Sequence, residues 1–111
     1  MNIELEKFAN ACIAKGRGEE SGSIKADGIY YKRIRSVYDL LKEDNRLHEL
    51  LELLEHENPY VRSWAAGYTL QIDPAKSEQT LEEVANIKGR MVAFSAEMTL
   101  KEWRKGNLKF D

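Results

Sequence analysis

The chain has a single cysteine, only two prolines and almost no surplus of charge, a net −2 over 111 residues. Cys12 alone excludes an intramolecular disulfide and any zinc site built on several cysteines. It falls on the apolar stripe of the first segment, where a buried and inert thiol is expected. No apolar run approaches the ~20 residues needed to cross a bilayer. The opening MNIELEKF is acidic where a secretion signal would be basic, and it has no apolar core. A cytoplasmic, reducing setting is therefore expected. The small net charge gives no overall pull toward nucleic acid or membrane. Also missing are a period-two alternation long enough for a strand, a GxGxxG or P-loop pattern, and a nucleophile elbow. His48 and His56 stand two helical turns apart, too far to share one metal, and are expected at the surface. No metal, cofactor or enzymatic chemistry is expected. With 42% apolar and 32% charged residues, the chain suits one soluble domain with one core, spanning residues 1–111.

The most organised stretch is ENPYVRSWAAGYTL, residues 57–70. Asn58 is a good N-cap, and Pro59 stands at the first helical position, where its missing N–H costs nothing. Val61, Trp64, Ala65, Tyr68 and Ile72 recur at helical spacing as one apolar stripe. Ala65, Ala66 and Gly67 are small enough to admit a neighbouring helix. Asp73-Pro74 repeats the cap-plus-proline device at once, so two helices join with almost no loop and lie antiparallel. Such a pair cannot cover its own stripe, and the rest of the chain must stack against it.

The other segments follow the same logic. A first helix is expected over residues 2–15, with Leu5, Phe8, Ala9 and Cys12 on one face, ended by Gly16 and Gly18 in the turn-rich GRGEESGS. Ser23 is the expected cap of a long helix over 24–42, striped by Tyr30, Ile34, Val37, Tyr38 and Leu41. Asn45 is the expected cap of a third, over 46–55, with Leu47, Leu50, Leu51 and Leu54 inward. Helix five covers 74–86 with Leu81, Val84 and Ala85. Gly89 opens helix six, whose long apolar residues are Phe94, Met98 and Trp103. Gly106 stops it, and Leu108 and Phe110 are expected to tuck back onto the core. An offset of 30 residues sets Leu51, Leu54, Trp64, Ala66, Tyr68, Thr69 and Leu70 on Leu81, Val84, Phe94, Ala96, Met98, Thr99 and Leu100. Three stacked helix pairs are the simplest arrangement.

Asn58 to Ala66, in the pattern Asn-Pro-x-Val-Arg-x-x-Ala-Ala, resembles the second helix of a HEAT repeat. AFSAEMTLKEWRKGNL (93–108), together with YVRSWAAGYTL and YYKRIRSVYDLL, resembles a small bacterial family of unknown function, DUF2019. The likeness extends over nearly the whole chain. It implies an all-α fold, a short right-handed α-α superhelix of HEAT/ARM type with about six helices in three stacked hairpins. It brings no established active site.

Three residues stand out as structural. Arg62 is expected to pair with a carboxylate, Asp73, Glu57 or Glu97, in a ladder that fixes register. Glu97 sits among Phe94, Ala96 and Met98, where a buried carboxylate would need such a partner. Trp64 is expected in the core; if it were exposed, it would become the first candidate for a binding hot spot.

Charge carries the functional signal. Residues 46–57 sum to −3 and 74–87 to −2, whereas 24–43 sum to +2 and 88–109 to +4. The odd helices are thus acidic and the even ones basic, which in a stack gives two faces of opposite sign. A non-catalytic protein-binding module follows as the leading expectation, its specific form a bacterial immunity or antitoxin protein that plugs a toxin. Lys32, Arg33, Arg35, Arg90, Lys101, Arg104 and Lys105 are the expected contacts on the basic face. The alternative is nucleic-acid binding through those same residues, against which stands the overall acidity, since dedicated binders tend to a pI above ~9.

Overall fold

Three of the helices begin where a side chain takes up open first-turn amides. Asn2 Oδ1 accepts from the Leu5 amide at 2.9 Å, Asn58 Oδ1 from Tyr60 at 2.9 Å and Val61 at 3.4 Å, and Asp73 Oδ1 from Lys76 at 3.2 Å. The structure, a computed structural model, describes residues 2–22 and 27–108. Ser23, Ile24, Lys109 and Phe110 lie outside the described residues. In chain order come α1 (Ile3–Ser21), α2 (Asp27–Glu43), a 3₁₀ helix (Leu47–Glu55), α3 (Pro59–Thr69), α4 (Pro74–Ala85) and α5 (Met91–Arg104). The chain is all-α over the described residues. α1 packs along α2, the 3₁₀ helix along α3, and α4 along α5, while α3 also touches α4, α1 and α5. No described helix is long and apolar enough to cross a membrane.

The first helix does not stop at Gly16. It runs on to Ser21 and ends at Gly22, whose φ of 76° is the left-handed conformation that terminates helices. Gly16 is a packing residue: a Cβ there would run into the ring of Tyr60 on α3. The Lys15–Glu19 pair, 2.8 Å apart at i,i+4, supports the added turn. Most of the stretch expected to be turn-rich is therefore helical. Its extra length carries Glu19 and Glu20 across to α3 and α5.

Asn45 is not a cap. It adopts φ 61° just past α2, and the Arg46 amide reaches back to the Leu41 carbonyl at 2.7 Å, a helix-ending motif. The third segment is 3₁₀, not α. Its sequence, Leu-His-Glu, Leu-Leu-Glu, Leu-Leu-Glu, has a strict period of three. At three residues per turn Leu47, Leu50 and Leu53 form one row, Leu51 and Leu54 a second, and Glu49, Glu52 and Glu55 an outer third. Leu53, absent from the four expected inward leucines, is buried.

The core runs through all six elements and centres on Phe8, Ile34, Tyr38, Leu50, Val61, Leu81 and Leu100. Tyr38 stacks on Tyr68 with centroids 4.3 Å apart, and Phe8 meets Tyr68 edge-on at 6.2 Å. The repeat offset holds where residues are small or aliphatic, since Leu54 and Val84, Ala66 and Ala96, and Leu70 and Leu100 are all buried. It fails at the large residues. Phe94 and Met98 are 64% and 41% exposed, because α5 turns Val92, Ala93, Ala96 and Leu100 inward. Those short side chains leave no depth for a phenyl ring. Ile72 is likewise exposed, in the turn after α3.

Candidate functional site

Three helices leave a cleft between them, α2, α3 and α5, which are the second, fourth and sixth elements of the chain. Its volume is about 400 Å³. Tyr31 and Arg35 come from α2, Tyr60, Ser63, Trp64, Gly67 and Tyr68 from α3, and Val92, Ser95 and Thr99 from α5; Glu19 of α1 and Leu108 complete it. α3 places Ser63, Trp64 and Gly67 on this side at i, i+1 and i+4, while Val61 and Ala65 point inward.

Trp64 is partly buried, packed against the core on one side and open to the cleft on the other. This corrects the expectation of a wholly internal side chain. Its neighbours are aromatic on both flanks, Tyr31 at 6.0 Å and Tyr68 at 5.9 Å between centroids. The Lys15 ammonium lies 5.6 Å from its ring centroid while bonded to Glu19. The site is thus a row of rings whose charged neighbours are neutralised in pairs. Arg35 is held by Asp39 at 3.2 Å, which raises its already high pKa, and it also lies 5.1 Å from the Tyr38 ring. Burial pushes the Tyr68 hydroxyl well above the usual phenol range, so it stays protonated at any physiological pH.

Beside the cleft, Glu20 ties α1 to α3 and to the residue that precedes α5. It accepts from Tyr60 Oη at 2.9 Å and from Arg90 Nε at 2.7 Å. The Arg90 guanidinium, then the tyrosine hydroxyl, hold its carboxyl below the ordinary value. Burial and the bond to Glu20 push Tyr60 up.

The seven basic residues expected on one face are dispersed. Arg35 alone among them lines the cleft. Arg90 is engaged by Glu20, and Arg104 reaches Glu78 and Glu82 across the α4–α5 pair. Arg33 lies over the Tyr30 ring at 5.3 Å, beside a separate groove between α1 and α2. Lys32, Lys101 and Lys105 are exposed.

Arg62 and Glu97 depart from expectation. Among the described residues Arg62 makes no carboxylate ladder: Nη1 donates to the backbone carbonyls of His56 at 2.8 Å and Glu57 at 3.2 Å, and its buried Nε has no partner there. It closes the turn before its own helix. Glu97 is exposed, since it lies on the side of α5 away from the core. Cys12 is fully buried as expected, and burial raises its thiol pKa. His48 is exposed, whereas His56 Nδ1 accepts from the Asn58 amide at 3.0 Å and steadies the same turn. Among the described residues no three His, Cys, Asp or Glu side chains are grouped as metal ligands.

Residues 4–103 match the family described as DUF2019, a domain of unknown function. The chain belongs to that family. Its fold is similar to the crystal structure of the protein RPA1889 from Rhodopseudomonas palustris CGA009, with a TM-score of 0.87 and 25% identity. That likeness covers 97% of this chain and 91% of the other. No curated protein matches it. The DUF2019 match takes in the cleft-lining residues of every helix but ends before Leu108, which also lines the cleft.

Proposed function

We propose that the protein is a non-catalytic binding module for another protein, a short HEAT-like solenoid of three stacked helical hairpins. In this arrangement α2, α3 and α5 form the inner, receiving side of a right-handed superhelix. The observation that carries the proposal is the cleft between those three helices, with Trp64 and Tyr31 presented side by side at its surface. Tryptophan and tyrosine, partly packed below and open above, are the residues that dominate protein interfaces. The neutralised pairs Lys15–Glu19 and Arg35–Asp39 suit recognition, since neither ion must be stripped of its partner for a ligand to enter.

The specific form is an immunity or antitoxin-type protein of a bacterium, whose partner is a toxin. The chain's small size and its similarity to a bacterial protein of like fold agree with this. Duplex binding is less well supported, because Arg35, Arg90 and Arg104 hold carboxylates of their own chain and a phosphate would have to displace them.

A photo-crosslinking residue at Ser95, in the cleft wall, compared with one at Glu52, on the outer row of the 3₁₀ helix, tests the proposal in host cells. One discrete protein adduct from position 95, lost on Trp64→Ala and missing from position 52, is the expected result. Equal adducts from both positions, or none, would count against it.

A further inference from the structure

The outer side of α5 carries a second surface, independent of the cleft. Met91, Phe94, Met98, Lys101 and Lys105 succeed one another at i, i+3, i+7, i+10 and i+14, so they share one face. The three apolar side chains are 57%, 64% and 41% exposed and contiguous, opposite the buried Val92, Ala96 and Leu100. Lone exposed apolar residues are ordinary; three in a row on one helix face mark an interaction surface. The two lysines continue that row. Neither has a carboxylate within ion-pair distance among the described residues, although Arg104 beside them is engaged by Glu78 and Glu82.

We infer that this face docks an amphipathic acidic helix of a partner protein. Its apolar row would cover Met91, Phe94 and Met98, and its carboxylates would meet Lys101 and Lys105. Carboxylates are best placed in a helix's first turn, so the partner helix runs antiparallel to α5, its N-terminus beside the lysines. Other occupants fit less well. In a head-to-tail stack of two copies the groove between α1 and α2 would meet this face; it presents Lys7 and Arg33 to the same lysines, and its one carboxylate, Glu4, is already held by Arg46. Leu108 lines the cleft and not this face. The inference rests on the protein-binding proposal above and adds the partner's chemistry and a surface distinct from the cleft.

The test is selection from a displayed library of random peptides about 14–16 residues long, enough to span the face at ~1.5 Å per residue. Wild-type protein is the bait, followed by titration of the selected peptides against variants. Phe94→Asp and the double change Lys101→Glu with Lys105→Glu alter only exposed positions and should melt with the wild type. The expected peptides combine apolar residues at helical spacing with an acidic N-terminal turn. Their affinity should fall at least about tenfold on Phe94→Asp and on the lysine reversal, and stay unchanged on Trp64→Ala. Peptides without acidic enrichment overturn the stated chemistry. Peptides sensitive to Trp64→Ala but not to Phe94→Asp overturn this surface and leave the binding-module proposal standing. No enrichment at all counts against both. Two further arms use the same variants. Binding of phosphatidylcholine–phosphatidylserine vesicles lost on Phe94→Asp, with no peptide selected, would assign the face to a membrane. A wild-type dimer in sedimentation that Phe94→Asp dissociates would assign it to a second copy.

Discussion

Gly16 of α1 lies directly beneath the ring of Tyr60 on α3, and no side chain fits between them. A helix-interior glycine ordinarily costs roughly 0.5–1 kcal/mol relative to alanine. At this position the sign reverses. Gly16→Ala should destabilise by about 1–3 kcal/mol, the usual range for an overpacked core. Gly67→Ala is the control, because its Cβ would meet Thr99 Cγ2 at an ordinary 3.8 Å and should stabilise slightly. Urea unfolding midpoints of the two variants should move in opposite directions.

Trp64→Ala separates the cleft from the core. Truncating a fully buried aromatic costs ~3–5 kcal/mol, and a partly buried ring should lose roughly half of that. The variant should therefore fold, melt measurably below the wild type, and lose the cleft crosslink. Aggregation on expression would place the ring deeper in the core than its contact with the cleft implies.

A buried hydroxyl pair joins α3 to α4. Thr69 Oγ1 donates to the Ala65 carbonyl at 2.9 Å and is hydrogen-bonded to Ser77 Oγ at 2.8 Å, and both residues are wholly buried. Thr69→Val strands the serine hydroxyl, at a cost of about 1–3 kcal/mol. Adding Ser77→Ala removes the stranded group, so the double variant should recover much of the loss. A double-mutant cycle by chemical denaturation measures the coupling.

Acid should loosen the α1–3₁₀ junction. Arg46 bonds Glu4 at 2.9 Å and Glu49 at 2.9 Å, and its hydrogen bonds hold both carboxyls below their ordinary 4.5. Folded-state values depressed in this way give stability that is present above about pH 4.5 and lost as pH falls through the lower folded values. Melting temperature should therefore fall below that pH, and Arg46→Gln should make the decline shallower. These groups are solvent-accessible, so added salt should shrink the difference between the two proteins.

What could be read from the sequence was local. Asn58-Pro59 and Asp73-Pro74 start helices through bonds that span three residues or fewer, and both caps stand where the pattern put them. Gly16 could not be read that way, because its reason is a ring 44 positions along the chain. The 3₁₀ helix left a signal, the strict triplet of leucines and glutamates, which also satisfies a loose helical stripe. In α5 side-chain size is a poor guide to burial: Phe94 and Met98 face outward, while the small Ala93 and Ala96 face the core. The repeat-like position of Arg62 suits a register ion pair, yet the nearer acceptors are carbonyls of its own turn. The cleft draws on α1, α2, α3 and α5, and no spacing within one segment announces it.

The placement of Trp64 gives the molecule a built-in optical probe. Only two tryptophans are present, and Trp103 is occupied elsewhere, its Nε1 donating to Glu78 at 3.2 Å. Replacing Trp103 with phenylalanine leaves one indole emitting from the wall of the cleft, with Tyr31 and Tyr68 close enough to pass it absorbed light. Anything that enters between α2 and α5 must displace water from that ring or shift the Lys15 ammonium beside it. Either event alters the colour and intensity of the emission, so occupancy can be followed in solution without a label.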